Sequence, residues 1–213
     1  MRAIIASRNS ILRLSKYKNA LNRFQKLGYV RVFSDILADA VGGTSAQVRK
    51  DFSLFGIKGN KRGGYNADEL LGKLNDILGK NTRQSVIIAG AGKIGMALVK
   101  YKGFENEGIS IVAAFDIDPA KIRQGGDIPV FPLDELKAFV KTNDIRIGII
   151  AVPDIAAQQV FEIMVSSGIK GVLNFAPIRL KETADVVVNN VNVELELENV
   201  IYFVNALERT GSK

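Results

Sequence analysis

Residues 86–95 read Val86-Ile87-Ile88-Ala89-Gly90-Ala91-Gly92-Lys93-Ile94-Gly95, and this stretch decides the fold class of the chain. Its first four residues form an unbroken apolar run, which is typical of a strand buried on both faces of a parallel sheet. The glycines that follow fit the pattern G-x-G-x-x-G, and a helix-forming run comes next. A second apolar run, 109–115, is followed by Asp116, which stands 21 residues after Gly95. Strand, glycine loop, helix, strand and acid in this order predict a dinucleotide-binding Rossmann unit.

Each part of this motif has a chemical task. Gly90 permits the tight turn, Gly92 lets backbone N–H groups reach a pyrophosphate, and Gly95 lets helix and strand pack closely. Asp116 is placed to accept hydrogen bonds from a ribose diol and to repel a 2′-phosphate, which favours NAD(H) over NADP(H). The alternative is a glycine turn in an α/β domain that binds no nucleotide. A P-loop is excluded, because the residue after Gly92-Lys93 is neither Ser nor Thr.

The alternation of strands and helices continues as far as residue 191. Further strands are predicted at 128–131, 145–152, 171–175 and 186–191, with helices at 133–140 and 154–167. Open α/β sheets bind ligands outside the carboxyl ends of their strands. Ala151-Val152-Pro153 and Asn174-Phe175 stand at such ends, although the prolines nearby can also serve only to end strands. The predicted cofactor-binding residues are Gly90, Ala91, Gly92, Lys93, Ile94, Gly95, Asp116, Ala151, Val152, Pro153, Asn174 and Phe175.

The first 80 residues predict a winged helix-turn-helix domain. Two short helices meet at Gly42-Gly43; Ser34 is placed to cap the first, and Thr44 with Gln47 forms a capping box on the second. The second helix has a polar, cationic outer face, and the glycine- and cation-rich loop 56–65 follows it as a predicted wing. The predicted DNA contacts are Thr44, Ser45, Gln47, Arg49, Lys50, Ser53, Lys58, Lys61 and Arg62.

The charge of the chain is concentrated in this first segment. Residues 1–84 hold 16 Lys and Arg against 6 Asp and Glu, whereas residues 85–213 hold 13 against 16. An asymmetry of this size indicates that the N-terminal segment meets a polyanion. The alternative is a small helical interaction domain with a solvated basic surface.

Composition excludes several classes of chemistry. The 213 residues include no Cys and no His, so disulfides, thiolate nucleophiles, Ser-His-Asp triads and histidine-ligated zinc are excluded. The carboxylates lack the spacing of a calcium loop, and no metal site is predicted. No Tyr-x-x-x-Lys follows any tyrosine, which argues against a short-chain dehydrogenase. We expect a cytoplasmic protein with no membrane association, because the chain has neither an apolar run of about 18 residues nor a signal-peptide core.

The final stretch, 192–209, is apolar almost all round if it forms a helix. Such a helix is buried on most sides, and a terminal helix of a small domain achieves this most readily by insertion into a partner subunit. The alternative is docking on its own sheet. The predicted organisation is therefore a DNA-binding domain at 1–80, an NAD(H)-binding Rossmann domain at 85–191 and a dimerisation helix at 192–213.

Three blocks give the chain a specific resemblance: Ser45–Ser53, Ala113–Pro119 and Leu173–Pro177. They resemble the Rex family of bacterial redox-sensing transcriptional repressors, and the similarity runs from about residue 14 to 207. The resemblance implies a homodimer whose C-terminal helices are swapped between subunits. It also implies that NAD⁺ permits binding to operator DNA and that NADH releases it. Because a two-fold dimer reads two half-sites, the operator is expected to be palindromic.

The chain departs from the family pattern at the positions that the resemblance assigns to the redox switch. Asn19 stands where the family usually has arginine, and Asn192 where it usually has aspartate. The resemblance implies that these two groups meet across subunits in one state, and that the aspartate meets the tyrosine matching Tyr101 in the other. The matched loss leaves no unpaired buried charge and predicts a repressing state that is held less firmly. The predicted switch and dimer residues are Asn19, Tyr101, Asn192 and Val193.

A smaller departure lies in the wing, where the cations of Asn60-Lys61-Arg62-Gly63 are shifted by one position from the family pattern. Two other functional classes use a similar Rossmann fingerprint. One is a regulatory module that binds CoA or another nucleotide, and the other is an NAD-dependent oxidoreductase, which here would lack a histidine acid or base. A titration with NADH distinguishes the CoA-binding class, because a CoA binder shows no saturable NADH site.

Overall fold

The computed structural model describes residues 6–60, 63–181 and 183–211. These residues fall into two compact units, and the boundary along the chain lies between Thr82 and Arg83. The N-terminal unit contains α1 (Arg8–Lys26), β1 (Arg31–Val32), α2 (Ser34–Val41), α3 (Ser45–Leu54), β2 (Tyr65–Asn66) and α4 (Ala67–Ile77). Strands β1 and β2 pair antiparallel, with Val32 opposite Tyr65. The fully buried ring of Phe52 lies edge-on to Tyr17 and to Tyr65, with ring centroids 5.5 and 5.1 Å apart. This aromatic cluster joins α1, α3 and β2 into one core.

Local sequence sets most of the helix ends in this unit. The Thr44 hydroxyl accepts from the backbone N–H of Gln47 at 3.2 Å, and Gly42 ends α2 in the left-handed conformation with φ 69°. The predicted cap at Ser34 is wrong, because α2 begins at Ser34 itself and follows an extended Phe33 that makes no side-chain cap. The Ser34 hydroxyl instead accepts from Arg49 of α3 at 3.1 Å. This bond links the two helices of the helix-turn-helix.

The second unit is a six-stranded parallel sheet with helices around it. Its elements are β3 (Gln84–Ala89), α5 (Lys93–Val99), α6 (Gly103–Asn106), β4 (Ile109–Asp116), β5 (Val130–Pro132), α7 (Leu136–Thr142), β6 (Ile147–Ile150), α8 (Asp154–Ser167), β7 (Gly171–Asn174), β8 (Val187–Asn190) and α9 (Val193–Gly211). The strand order is β5-β4-β3-β6-β7-β8. Counted within the unit this is 3-2-1-4-5-6, the Rossmann order, and the strand order reverses between β3 and β6.

Alternating residues of β3 fill the core on both faces of the sheet. Ile87 belongs to a cluster that includes Phe115 and Phe161, whereas Val86 and Ile88 belong to a cluster on the opposite face. This period-two division explains why the run 86–89 is apolar without a break.

Several predicted boundaries differ from the structure. The strand predicted at 145–152 spans only Ile147–Ile150, and the helix predicted at 133–140 begins as a 3-10 turn at Leu133–Glu135 before α7. Helix α6 was not predicted, because four residues are too few to show a helical period. The helix at 154–167 was predicted with its observed bounds and ends at Gly168, whose φ is 115°.

Helix α9 leaves its apolar side chains uncovered in the single chain. The alternative that it docks on its own sheet is therefore not supported. Nine of its large apolar side chains are about half exposed or more: Val193, Leu195, Leu197, Val200, Ile201, Tyr202, Phe203, Val204 and Leu207. Among the helices of the described residues, none is long and apolar enough to span a membrane.

Candidate functional site

A cleft of about 820 Å³ opens where β3, β4 and β6 end, at the point where the strand order reverses. Of the predicted cofactor-binding residues, it is lined by Gly90, Gly92, Lys93, Ile94, Asp116, Ala151, Val152, Pro153 and Phe175. Three others, Ala91, Gly95 and Asn174, are buried and lie outside the cleft wall. The structure thus brings residues from four separate segments of the sequence, around 90–94, 116, 151–153 and 175, to one crevice.

The three glycines of the loop have different surroundings. A Cβ on Gly90 would overlap the carbonyl of Ala151, and the φ of Gly90 is 103°. A Cβ on Gly95 would overlap the carbonyl oxygen of Gly90. A Cβ on Gly92 would meet no atom within 4 Å. Gly90 and Gly95 are therefore required by the packing of the protein itself, whereas Gly92 leaves open space on the cleft side.

Asp116 is the buried acid of the cleft, only 8% exposed. Its Oδ2 accepts from the backbone N–H of Ala91 at 2.8 Å and from Lys121 Nζ at 3.1 Å, and its Oδ1 accepts from the backbone N–H of Asp118 at 2.9 Å. Burial alone would raise the pKa of this carboxyl, but the two backbone N–H groups and the ammonium hold the pKa below its usual range. Asp116 therefore faces the cleft as an anion at neutral pH.

Asn174 organises the cleft from behind its wall. Its Nδ2 lies 3.2 and 2.9 Å from the carbonyl oxygens of Ala176 and Ile178, and 2.9 Å from Oδ1 of Asn190 in β8. Its Oδ1 accepts from the backbone N–H of Ala176 at 3.0 Å. The side chain thus fixes the loop after β7, which lines the cleft through Phe175, to the end of β8.

The predicted DNA contacts divide into exposed side chains and side chains that are engaged within α3. Arg49, Lys50 and Ser53 are exposed on α3, Lys58 is exposed just after it, and Ser45 is half-buried. Thr44 uses its hydroxyl to cap α3, and Gln47 donates its side-chain amide to Asp51 at 2.9 Å. The predicted capping box is therefore only half formed, because the side chain of Gln47 turns to Asp51. Lys61 and Arg62 lie outside the described residues.

Asp51 is a buried carboxylate that the sequence did not identify as a functional residue. It is only 2% exposed. Arg13 of α1 donates to both of its oxygens, at 2.6 and 2.7 Å. The Tyr17 hydroxyl donates at 3.0 Å and Gln47 at 2.9 Å. The available signal was a lone carboxylate beside Phe52 on the apolar side of α3. The network fastens the helix predicted to enter DNA onto α1.

The charges of this network are set by its geometry. Burial alone would raise the pKa of Asp51, but the hydrogen bonds from its three partners hold the pKa below its usual range. Burial, together with the hydrogen bond and charge of Asp51, raises the pKa of Tyr17 to about 12. The Arg13 guanidinium has a raised pKa, since its hydrogen bonds to Asp51 outweigh desolvation. Asp51 is thus ionised, and Tyr17 neutral, at physiological pH.

The base of the predicted wing is attached to β1. Asn60 and Gly64 exchange two backbone hydrogen bonds of 3.0 and 2.8 Å, and Arg31 donates to the carbonyl of Gly63 at 2.8 Å. Gly64 has φ 63°, and a Cβ there would lie 2.5 Å from the carbonyl oxygen of Val32. The loop therefore leaves and returns at a fixed point beside α3.

The predicted switch residues occupy separate places. Asn19 is exposed on α1, and Tyr101 is 60% exposed with its ring edge-on to Phe104. Asn192 caps α9, since its Oδ1 accepts from the backbone N–H groups of Glu194 and Leu195 at 3.0 and 3.2 Å. Val193 is 66% exposed as the first residue of α9. The meeting of Asn19 and Asn192 across subunits stays a prediction.

Comparison with known proteins covers both units of the chain. A family model described as a putative DNA-binding protein N-terminus matches residues 6–53, and one described as a CoA binding domain matches residues 81–178. The chain is 44% identical over 199 residues to the redox-sensing transcriptional repressor Rex of Desulforamulus reducens, covering 93% of this chain and 95% of the relative. It is 41% identical over 199 residues to the Rex repressor of Pelotomaculum thermopropionicum, covering 93% of each chain.

Solved structures give the same result. RSP, a Rex-family repressor, has been solved with β-NAD⁺ and operator DNA, and this complex matches with a TM-score of 0.91 and 35% identity, covering 98% of this chain and 96% of RSP. The complex of RSP with β-NADH matches with a TM-score of 0.86 and 35% identity, covering 98% of both chains.

Proposed function

The chain belongs to the Rex family of redox-sensing transcriptional repressors, and we propose that it binds operator DNA and is released from it by NADH. The observation that carries this function is the match to a repressor solved with both NAD⁺ and operator DNA, which extends over nearly the whole chain. Both the DNA-binding unit and the Rossmann unit therefore have a counterpart in one relative. The relatives are named as repressors, which supports a regulator rather than an oxidoreductase.

The cofactor is NAD, held in the cleft at the carboxyl ends of the strands. We assign the pyrophosphate to the open side of Gly92 and the adenosine ribose to Asp116, following the general order of a Rossmann site. The rest of the dinucleotide then lies along Ala151–Pro153 and Phe175. The site is supported from behind its wall by Ala91, Gly95 and Asn174. The cleft is also lined by Lys93 and Ile94, which follow Gly92 in the glycine loop motif.

The apolar part of the wall gives a reason for redox sensing. NAD⁺ carries a positive charge on its nicotinamide ring and NADH does not. An apolar surface solvates a cation poorly, so Val152, Pro153 and Phe175 favour the neutral ring of NADH. A ligand shifts a two-state equilibrium only by its differential affinity for the two states, and this wall supplies a differential contact.

Asn174 gives the cleft a connection to α9. It fixes the loop that carries Phe175 to Asn190, which stands two residues before the α9 cap Asn192. A ligand that shifts this loop therefore also acts on the start of α9. We propose that α9 is buried in a second copy of the chain, which would cover the apolar side chains that it exposes here.

The DNA-binding function is assigned to residues 1–80, cofactor binding to 85–191 and dimerisation to 192–213. Helix α3 enters the major groove with Arg49, Lys50 and Ser53 exposed, Ser45 half-buried beside them, and Lys58 at the phosphates. A homodimer presents two such helices, so the operator is palindromic. Since it acts on DNA and reads the NADH pool, we place the protein in the cytoplasm.

One observation favours the alternative of a CoA-binding module, namely the CoA binding domain model that matches the Rossmann unit. CoA carries a phosphate on its adenosine ribose, and NAD(H) does not. The buried anion Asp116 disfavours such a phosphate, which supports NAD(H). Titration of the protein with NADH and with CoA separates the two: saturable NADH binding with none for CoA supports the proposal.

The decisive experiment is a gel shift on a palindromic operator with NAD⁺ and NADH added separately. We expect binding with NAD⁺ and release with NADH. The double variant Arg49→Ala, Lys50→Ala is expected to lose specific binding, because a good base contact gives about 1–3 kcal/mol of discrimination. Lys73→Ala, an exposed lysine of α4 in the same unit, is the matched control and keeps specific binding. Operator affinity that ignores both nucleotides would contradict the redox function.

A further inference from the structure

The acceptor capacity of Asp116 is nearly filled before any ligand arrives. A carboxylate offers about four lone-pair positions. Oδ2 accepts from Ala91 and Lys121, and Oδ1 accepts from Asp118, so one position on Oδ1 remains. An adenosine ribose presents two hydroxyl groups. Asp116 can therefore accept from one of them and cannot serve both while these bonds persist.

Lys121 lines the cleft directly beside Asp116. It ends the 3-10 turn Pro119–Lys121, lines the cleft, and leaves 39% of its side chain exposed. Its Nζ lies 3.1 Å from Asp116 Oδ2 and 3.8 Å from Asp118 Oδ2. An ammonium has three N–H donors, and the contact with Asp116 is within hydrogen-bond distance whereas the contact with Asp118 is an ion pair only. The turn itself is fixed, because Asp118 Oδ1 accepts from the backbone N–H of Ala120 at 3.0 Å.

We propose that Lys121 is a second ligand of the adenosine ribose and that it sets how strongly the cleft rejects a 2′-phosphate. Its ammonium donates to one ribose hydroxyl oxygen while Asp116 accepts from the other hydroxyl. The inference rests on the proposed NAD(H) function, and it adds a residue that the glycine motif does not predict.

The charges around Lys121 give the two nucleotides different dependences on it. With NADH, Lys121 supplies one hydrogen bond. With NADPH, it is the cation nearest to Asp116, and it offsets the repulsion between that carboxylate and the 2′-phosphate. Removing the ammonium leaves Asp116 and Asp118 facing the phosphate without a counterion. Removing the charge of Asp116 instead leaves the ammonium free to bind the phosphate.

The test measures NADH and NADPH affinity by fluorescence titration of the full chain. Lys121→Met removes the ammonium donor but also frees a second acceptor position on Asp116. The loss of NADH affinity is therefore expected to be only about three- to tenfold, less than for a lost charged hydrogen bond without compensation, and the loss of NADPH affinity is expected to be larger. Lys121→Gln keeps an N–H donor without the charge, so it retains more NADH affinity than Lys121→Met and still loses NADPH. Asp116→Asn is expected to gain NADPH affinity, and Asp116→Asn with Lys121→Met is expected to lose that gain.

Lys137→Met is the control for net charge, since Lys137 is exposed on α7 and does not line the cleft. The inference is overturned if Lys121→Met changes both nucleotides by the same factor, or if the gain from Asp116→Asn survives in the double variant. It is also overturned if Lys137→Met reproduces the selective loss. If the wild-type chain binds NADH but the variants do not show the expected changes in affinity, only the role of Lys121 is contradicted. A wild-type chain that binds neither nucleotide contradicts the proposed function as well.

Discussion

Among the described residues, the two buried aspartates have similar exposure and differ in the hydrogen bonds that their oxygens accept. Asp51, in the N-terminal unit, accepts four hydrogen bonds from three side chains of the protein, which fills its capacity. Asp116, in the Rossmann unit, accepts three and turns its remaining position toward a cleft. A saturated buried carboxylate positions its neighbours, whereas an unsaturated one beside open space is available to a ligand.

The largest effect is expected from a substitution at Asp51. Asp51→Asn replaces an acceptor by a donor that faces Arg13 or Tyr17, and breaking a buried ion pair typically costs about 3–5 kcal/mol. Because Arg13 is about one-third exposed, we expect the lower end of that range for the unfolding of the N-terminal unit. Urea unfolding measures the loss, and operator binding is expected to be lost with it while NADH binding is retained.

Asp39→Asn is the matched control, since Asp39 is exposed on α2 of the same unit. If Asp51→Asn has the same midpoint of urea unfolding as the wild type, the hydrogen bonds to Asp51 do not hold α3 in place.

A substitution at Gly92 tests whether the cleft beside Asp116 holds the dinucleotide. Gly92→Val places a branched side chain in space that the structure leaves empty, so the fold is retained and the pyrophosphate is excluded. We expect NADH affinity to fall about a hundredfold, which corresponds to about 2.7 kcal/mol. Calorimetric titration measures the affinity and thermal unfolding checks the fold.

Gly125→Val serves as its control, because a Cβ at Gly125 also meets nothing within 4 Å and Gly125 does not line the cleft. Unchanged NADH affinity in Gly92→Val would remove the pyrophosphate from this position.

The hydrogen bond from Tyr17 to Asp51 predicts how the stability of the N-terminal unit depends on pH. Its pKa is raised to about 12 in the folded chain, from 10.0. Stability from this shift is complete below pH 10 and is lost as the pH rises to about 12, because only the unfolded chain ionises its tyrosine in that window. The loss amounts to at most about 2.7 kcal/mol. Below pH 10 the free energy of unfolding of Tyr17→Phe is expected to be lower than that of the wild type by about 1 kcal/mol, because a hydrogen bond is lost. Between pH 10 and 12 it is expected to decrease less than in the wild type. Equal pH slopes for the two proteins would contradict the shift.

The smallest effect concerns Asn19 and Asn192, polar groups that are not buried. A neutral hydrogen bond is worth about 0.5–1.5 kcal/mol and one to a charged group about 1.5–3 kcal/mol. Restoring Arg at 19 and Asp at 192 together is therefore expected to strengthen operator binding by about 1 kcal/mol and to raise the NADH needed for release. Each single change is expected to be worse than the pair. Asp caps a helix as well as Asn does, so α9 is not disturbed.

A double-mutant cycle on operator affinity, with and without NADH, measures this coupling. Strictly additive effects would mean that the two positions do not meet.

The Rossmann unit was predictable because its signals are local and repeated. The apolar run before Gly90 and the acid at 116 report backbone requirements that any such sheet shares, so they predicted a parallel Rossmann sheet, whereas the order of its strands came from the structure. The network around Asp51 was not predictable, because its partners Arg13 and Tyr17 lie more than 30 residues away on another helix. Lys121 was missed for a related reason: its role depends on how many hydrogen bonds Asp116 already accepts, which a residue pattern does not record.

The proposed burial of α9, with its row of uncovered apolar side chains, in a second copy of the chain would tie the state of the protein to its concentration in the cell. Association follows mass action, so the fraction of chains with α9 covered by a second copy rises with total concentration. Occupancy of an operator that requires this paired form would then increase more steeply than in proportion to the number of chains made. A modest change in synthesis would thereby be amplified at the promoter, independently of any change in the nucleotide pool.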